Sequence, residues 1–265
     1  MQENLPGFAN KQPIIGVLHL RPLPGSPNYD GNTQLIKEQA LADADTLVKG
    51  GVDAVMIENF GDTPYFPDRV PRETIAWMSR IGGLVRDSID LPMGVCVLRN
   101  DARAGLAIAH SIEAQFIRVC VLGSPRVTDH GVIEGAASKL IRDRARMGAK
   151  VKIFADVDIK HSYPLSSVYS IKADAMDLVA RSHADALIVT GPATGVAIAD
   201  SDLAELTGAT SAPVFVGSGI TEKNIKTLAE VAGGFIVGTS LKEPKQAGGR
   251  VSLEKVRAIV GQLRG

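Results

Sequence analysis

Eight short runs rich in valine and isoleucine recur along the chain, separated by segments of helical spacing. No other feature limits the possible folds as tightly. The runs are Ile14–Leu18, Ala54–Ile57, Met93–Leu98, Phe116–Leu122, Val151–Val157, Ala186–Val189, Val214–Val216 and Phe235–Val237. Each is brief, nearly continuous in apolarity and bounded by glycine, proline or polar residues, as expected of parallel strands covered on both faces. The intervening segments carry 3.6-residue apolar stripes. Ile36, Ala40, Ala44, Leu47 and Val48 form the first, Ile75, Met78, Ile81 and Val85 the second, and Leu253, Val256, Ile259, Val260 and Leu263 the last. Thr221 stands where its hydroxyl would cap a helix bearing Ile225, Leu228 and Ala229. Eight strand–helix units in 265 residues predict a single closed (β/α)8 TIM barrel over residues 1–265. The alternative, a doubly wound open sheet, usually carries a glycine-rich fingerprint after its first strand. Here the first strand instead enters His19-Leu-Arg-Pro-Leu-Pro-Gly-Ser-Pro27, and no linker or composition shift divides the chain.

Composition removes several functions. Lys and Arg total 29 against 29 Asp and Glu, and aromatics make up 5%. A nucleic-acid binder would show excess basic charge with interleaved aromatics, so that function is set aside. Two cysteines, Cys96 and Cys120, cannot make a disulfide framework and are expected to be reduced thiols of a cytoplasmic protein. Met1-Gln-Glu-Asn-Leu-Pro-Gly lacks a signal-peptide pattern, and no apolar run has the length of a membrane span.

Strand alternation predicts which side chains enter the barrel. Val55 and Ile57 face the helices, leaving Met56 and Glu58 inside. Ile117, Val119 and Val121 likewise leave Phe116, Arg118 and Cys120 inside, and Lys152, Phe154, Asp156 and Asp158 share inward parity. Asn100 has the parity of Cys96 and Leu98. Glu58, Asn100, Arg118 and Asp156 are therefore expected to converge at one mouth. Charges go inside when paired, metal-bound or functional, so Arg118 bridging Asp156 or Glu58 is the competing structural role. His19 ends the first strand, with a ring suited to proton transfer near neutrality. His110 and His183 are assigned structural or exposed places. The loops Leu20–Thr33 and Phe60–Arg72 leave the strand ends that carry chemistry in barrels, and are expected to form a lid or wall.

Two segments suggest ligands. Asp156-Val-Asp-Ile-Lys160-His161 gathers two carboxylates, an amine and an imidazole. A divalent metal is possible there, through Asp156 and His161 with Glu58 or His19. Pairing of Lys160 with a substrate anion and a solvated charged loop are the alternatives. The absence of His-x-x-x-His or Cys-x-x-Cys spacing weakens the metal assignment, and no cofactor is established. Gly217-Ser-Gly219 and Gly238-Thr239 follow the seventh and eighth strands. Glycine turns there, with a short extra helix over Thr239–Glu243, predict a phosphate cradle of Gly217, Ser218, Gly219, Gly238 and Thr239.

Several segments resemble the BtpA/SgcQ family: Ile15–Pro27, Gly51–Phe60, Val97–Asp101, Phe116–Val121, Val127–Gly135, Ile153–His161, Val216–Thr221 and Ile236–Thr239. The resemblance covers nearly the whole chain. It implies a ribulose-phosphate-binding type of barrel, with photosystem I biogenesis or sugar-phosphate metabolism as associated roles. Two departures are Cys120, where asparagine is expected, and His130, where glutamine is expected.

The leading expectation is an enzyme for a small phosphorylated sugar or related metabolite, performing isomerase, epimerase or lyase chemistry by general acid/base catalysis. Glu58 or Asp156 would be the base and His19 the acid, with Lys160 also in the catalytic set. Asn100, Arg118, Asp129, His161 and Thr190 would hold the rest of the substrate. A Schiff-base aldolase ranks low, because Lys152 lies at its strand's amino end. The alternative is a non-catalytic assembly or stability factor. The protein is expected to form homo-oligomers and to bind neither nucleic acid nor, through a span, a membrane.

Overall fold

The computed structural model describes residues 8–191, 200–245 and 248–265; the leader reading of Met1–Gly7 lies outside them. The eight runs form strands β1 (Ile14–His19), β2 (Ala54–Glu58), β3 (Met93–Cys96), β4 (Phe116–Val119), β5 (Lys152–Val157), β6 (Ala186–Val189), β7 (Val214–Val216) and β8 (Gly234–Val237). They close into one parallel barrel in the ring order β1-β8-β7-β6-β5-β4-β3-β2. The helices are α1 (Thr33–Gly50), α2 (Arg72–Ser88), α3 (Ala102–Ser111), α4 (Ala137–Arg146), α5 (Ile171–Ala180), α6 (Asp200–Ala209), α7 (Ile225–Ala229) and α8 (Leu253–Arg264). Parallel neighbours require long crossovers, and helices on the outside satisfy them while covering the outward strand residues.

Two apolar layers follow from the alternation. Val55, Ile57, Val95, Ile117, Val119, Ile153 and Ala155 pack against the helices, together with Ile36, Ala40, Ala44, Leu47, Met78, Ile81 and Val85. Val48, placed in the first stripe, is more than one-third exposed because it sits at that stripe's margin. Inside the barrel, Ile15, Val17, Met56, Cys96, Phe116, Phe154, Phe215 and Ile236 form a separate core. Large and small residues alternate there: a Cβ on Gly94 would approach the Phe116 ring to 2.1 Å. Phe8 packs on Phe116 and Phe154 at centroid distances of 6.0 and 6.4 Å, covering the end of the barrel away from the site.

β3 and β4 are shorter than expected because the chain leaves the ladder early. Asn59 Oδ1 accepts the Leu98 N–H, and Asn100 Oδ1 accepts the Val121 N–H, each at 2.8 Å. Thr221 does not cap α7. Its hydroxyl donates to Asn224 Oδ1, and Asn224 Nδ2 donates to the Gly219 carbonyl, tying the turn after β7 to the helix start. The expected helix over Thr239–Glu243 is one 3-10 turn, Thr239–Leu241, followed by Lys242–Glu243 paired antiparallel with Arg250–Val251.

The sequence pattern did not reveal a small antiparallel sheet over the mouth. Arg126–Thr128 lies between Gly131–Ile133 and Ser162–Pro164, joining the loops after β4 and β5. Three-residue strands are too short for alternation to register. Arg126 locks this sheet from below, donating to Asp158, Tyr169 and Asp174 while its guanidinium lies 4.6 Å from the Tyr169 ring centre.

Candidate active site

A cavity of about 300 Å³ opens at the carboxyl-terminal rim of the barrel. Its floor is the inner barrel core, here Val17 and Ile236. Its sides bring together His19 from β1, Glu58 from β2, Arg99 and Cys120 beyond β3 and β4, Arg118 from β4, and Lys160 and His161 beyond β5. The turns Gly217–Ile220 and Val237–Ser240 complete the ring. Phe60, Thr63 and Tyr65 make the wall, while Asp129 and His130 reach over from the small sheet.

Of the two long loops, only Phe60–Arg72 walls the cavity. Leu20–Thr33 buttresses it: Gly61 N–H donates to the Leu20 carbonyl, and Leu23 N–H donates to Asp62. Gly25–Pro27 lines a second cavity of about 350 Å³ with Phe66, Pro67 and Val70. Wall and sheet are pinned to each other by the Tyr65 N–H, which donates to His130 Nε2 at 3.2 Å. The Tyr65 hydroxyl donates to the Phe60 carbonyl at 2.8 Å.

Glu58 and His19 are paired at the cavity. His19 Nε2 lies 3.2 Å from Glu58 Oε2, and His19 Nδ1 lies 2.7 Å from Lys242 Nζ. An ammonium has only donors to offer, so Lys242 donates to Nδ1 and leaves the His19 Nε2 proton for Glu58. Burial pushes the Glu58 carboxyl up, but the hydrogen bond from His19, with the charges of Arg118 and Lys160, outweighs it and holds the group at about 2. Burial brings Lys242 down to about 8, against the attraction of Asp43 and Glu58. Lys242 is 1% exposed, and its register opposite Val251 directs it inward beside β1. Lysine reads as a surface residue in sequence, so nothing local marked it.

Asp156 is placed differently. Arg118 Nε and Nη2 donate to Asp156 Oδ2 and Oδ1, both at 2.9 Å, forming a buried two-pronged pair. This is the bridging role weighed for Arg118, and Asp156 itself does not line the cavity. Asn100 is not brought to the mouth either. Its amide spans the Val121 backbone, donating to the carbonyl and accepting the N–H. The parity argument extended beyond the last extended residue of β3, where alternation ends. Asp158 fails for the same reason: at φ 54° it turns outward to Arg126 and is 44% exposed in its side chain. Thr190 accepts the Lys160 N–H at 3.2 Å behind the cavity.

Lys160 lines the cavity and is lowered by burial and by the nearby Arg118 charge. His161, at φ 58°, lies beside it. Asp129 is largely exposed and pairs with His130 at 2.8 Å. Lys152 pairs with Asp185 at the opposite end of β5. Cys96 and Cys120 are free and buried; a hydrogen bond with Cys120, and then burial, push the Cys96 thiol up. Among the described residues, no group of three or more His, Cys, Asp or Glu is disposed to hold a metal ion.

The two glycine turns line the same cavity as the Glu58–His19 pair. Gly217 N–H is spent on the Val189 carbonyl, so it is a spacer and not a donor toward ligand. A Cβ there would meet Ile188 at 2.7 Å. Gly219 has φ +71°, a conformation that strains other residues. A Cβ on Gly238 would stand 3.1 Å from the His19 ring, so glycine lets the β8 turn approach the imidazole. The leading N–H groups of the Thr239–Leu241 turn have no acceptor within the turn.

The comparisons agree with this architecture. The BtpA family model matches residues 10–265. An uncharacterized protein of Thermococcus kodakarensis is 43% identical over 251 residues, covering 94% of each chain. The photosystem I biogenesis protein BtpA of Synechocystis is 42% identical over 236 residues, covering 89% of this chain and 82% of its own. Among solved structures, thiamine phosphate pyrophosphorylase from Pyrococcus furiosus superposes with a TM-score of 0.59 at 13% identity, covering 96% of each chain. That likeness concerns the fold. Among the described residues, no helix is long and apolar enough to cross a membrane.

Proposed function

The chain belongs to the BtpA family, and from that premise we propose that it is an enzyme acting on a small phosphorylated sugar or related metabolite by acid–base chemistry. The observation that carries this is the Glu58–His19–Lys242 chain, placed in one cavity with the turns after β7 and β8. Ser218, Gly219 and Thr239 hold the phosphate, with Gly217 and Gly238 clearing the space. This sets the sugar carbonyl against Glu58 and His19. Glu58 stays ionised and accepts a proton from carbon beside the carbonyl. The His19 Nε2–H donates a hydrogen bond to the developing oxyanion, the proton held by Glu58 returns to carbon, and Lys242 supplies charge from behind. Removal and return of that proton give an isomerase or epimerase; cleavage of the neighbouring carbon–carbon bond gives a lyase. Thiamine phosphate pyrophosphorylase, a fold neighbour, handles a phosphorylated compound on the same type of barrel.

Solvent-deuterium exchange followed by NMR tests this. Aldose and ketose phosphates incubated in D2O with the protein are expected to exchange the proton beside the carbonyl. Glu58→Gln should slow exchange about 100-fold or more. Ser218→Asp should abolish binding by placing a carboxylate in the cradle. Absence of exchange and of phosphate-ester binding in calorimetry overturns the proposal.

One observation favours a second reading, an assembly factor. Val132, Val127 and Tyr163 lie side by side across the small sheet, with Val132 55% and Tyr163 75% exposed. The Synechocystis relative carries a biogenesis name. An assembly role should survive Glu58→Gln and fail with Val132→Asp; the enzymatic proposal predicts the reverse for exchange.

A further inference from the structure

Among the described residues, two cations at the cavity have no carboxylate partner. Arg99 is 7% exposed, yet the acceptors of its guanidinium are both uncharged in kind, the Lys160 carbonyl at 2.9 Å and the Cys120 sulfur at 4.0 Å. Its own N–H donates to the Phe66 carbonyl at 2.9 Å, so its backbone is fixed to the wall loop. Lys160 also lines the cavity, and among the described residues no acid lies within ion-pair distance of either cation. The nearby carboxylates are engaged elsewhere: Glu58 with His19, Asp156 with Arg118, and Asp129 with His130. Buried guanidinium without a counter-ion is costly, and its planar fork matches carboxylate or phosphate oxygens.

Ring order separates Arg99 from the glycine cradle, while Lys160, after β5, stands two strands from β7. Arg99 follows β3, and β3 stands four strands from β7 in the eight-membered ring, directly across the mouth. An anion on Arg99 is therefore a different group from one held after β7 and β8.

We infer that the Arg99–Lys160 side of the cavity is a second anion subsite. The substrate is then a phosphate ester that carries a carboxylate or a second phosphate at its far end. This rests on the enzymatic proposal above and narrows its substrate class. Lys160 is steadied by the same anion, and the hydrogen bond that the Arg99 guanidinium donates to the Lys160 carbonyl keeps the two residues together.

Calorimetry with matched probes tests it. 6-Phosphogluconate and glucitol 6-phosphate differ only in a terminal carboxylate. Ribulose 1,5-bisphosphate and ribulose 5-phosphate differ only in a terminal phosphate. The protein is expected to prefer the doubly anionic member of at least one pair by about tenfold or more, the worth of a charge-assisted hydrogen-bonded contact. The pair that shows the preference identifies the second anion. Arg99→Met should bring the ratio close to one, and Arg99→Lys should retain part of it. A wild-type ratio near one in both pairs overturns the inference and needs no variant to be read; so does a ratio that survives Arg99→Met. If monophosphates bind without preference, this inference alone fails. If no phosphate ester binds, the enzymatic proposal fails with it.

Discussion

Glu58 and Asp156 occupy comparable places, each inward-facing at the carboxyl end of a barrel strand and each buried. Their partners make them different. Asp156 is bound through both oxygens by one guanidinium, so it joins β5 to β4, and it does not line the cavity. Glu58 is held by a single imidazole nitrogen and opens onto the cavity. A two-pronged pair consumes its charges in holding the barrel together, whereas a single contact holds a charge in place and leaves it available. Position at a strand end is therefore insufficient to mark a catalytic carboxylate. Whether its partner leaves it facing the cavity is the better guide.

The contrast can be broken most directly at Asp156. Asp156→Ala should lower unfolding free energy by about 3–5 kcal/mol in urea denaturation, because it strands a buried guanidinium. A loss below about 1 kcal/mol, in the range of exposed pairs, would remove the distinction.

Glu58→Gln should cost less stability, since glutamine still accepts from His19, and its cost should depend on pH. The Glu58 pKa is depressed from 4.5 to about 2, so its stabilising effect is complete above pH 4.5. As pH falls from 4.5 toward 2, that contribution disappears, and the melting curves of wild type and Glu58→Gln should converge. A constant gap down to pH 2 would show that Glu58 is not held as an anion.

The smallest effect is expected at Lys242. Its pKa is lowered from 10.5 to about 8, so the folded protein resists its protonation. Between pH 8 and 10.5 the unfolded chain binds more protons at this position, and stability rises with pH. Wild type should therefore gain on Lys242→Met over that interval, while lost packing of the buried stem offsets part of the difference. Parallel pH–melting profiles would place the ammonium in solvent instead of against His19.

Much of the barrel was legible because its signals are local. A buried parallel strand declares itself in four to six residues, and alternation assigns inward sides as far as the backbone stays extended. Met56, Glu58, Phe116, Arg118, Phe154 and Asp156 were placed this way. The same rule failed at Asn100 and Asp158, one to four residues past a strand end, where the chain had already turned. Arg99 and Lys242 were overlooked because long basic side chains are ordinarily solvated, and each is buried by a segment distant in sequence. The small sheet over the mouth was invisible for a related reason: its central strand pairs with a segment more than 30 residues later.

Sequence alone determined the number of barrel strands, their parallel arrangement and the inward set along each, since these follow from apolar runs and a two-residue alternation within short windows. Tertiary structure alone decided which inward charges neutralise one another and which remain facing the cavity. That outcome depends on barrel closure, which sets β1 beside β8 and brings residue 242 to residue 19, and on the loops that seal the rim. Electrostatic pairing acts through space at a few ångströms, and a chain's local pattern carries no record of what will arrive there.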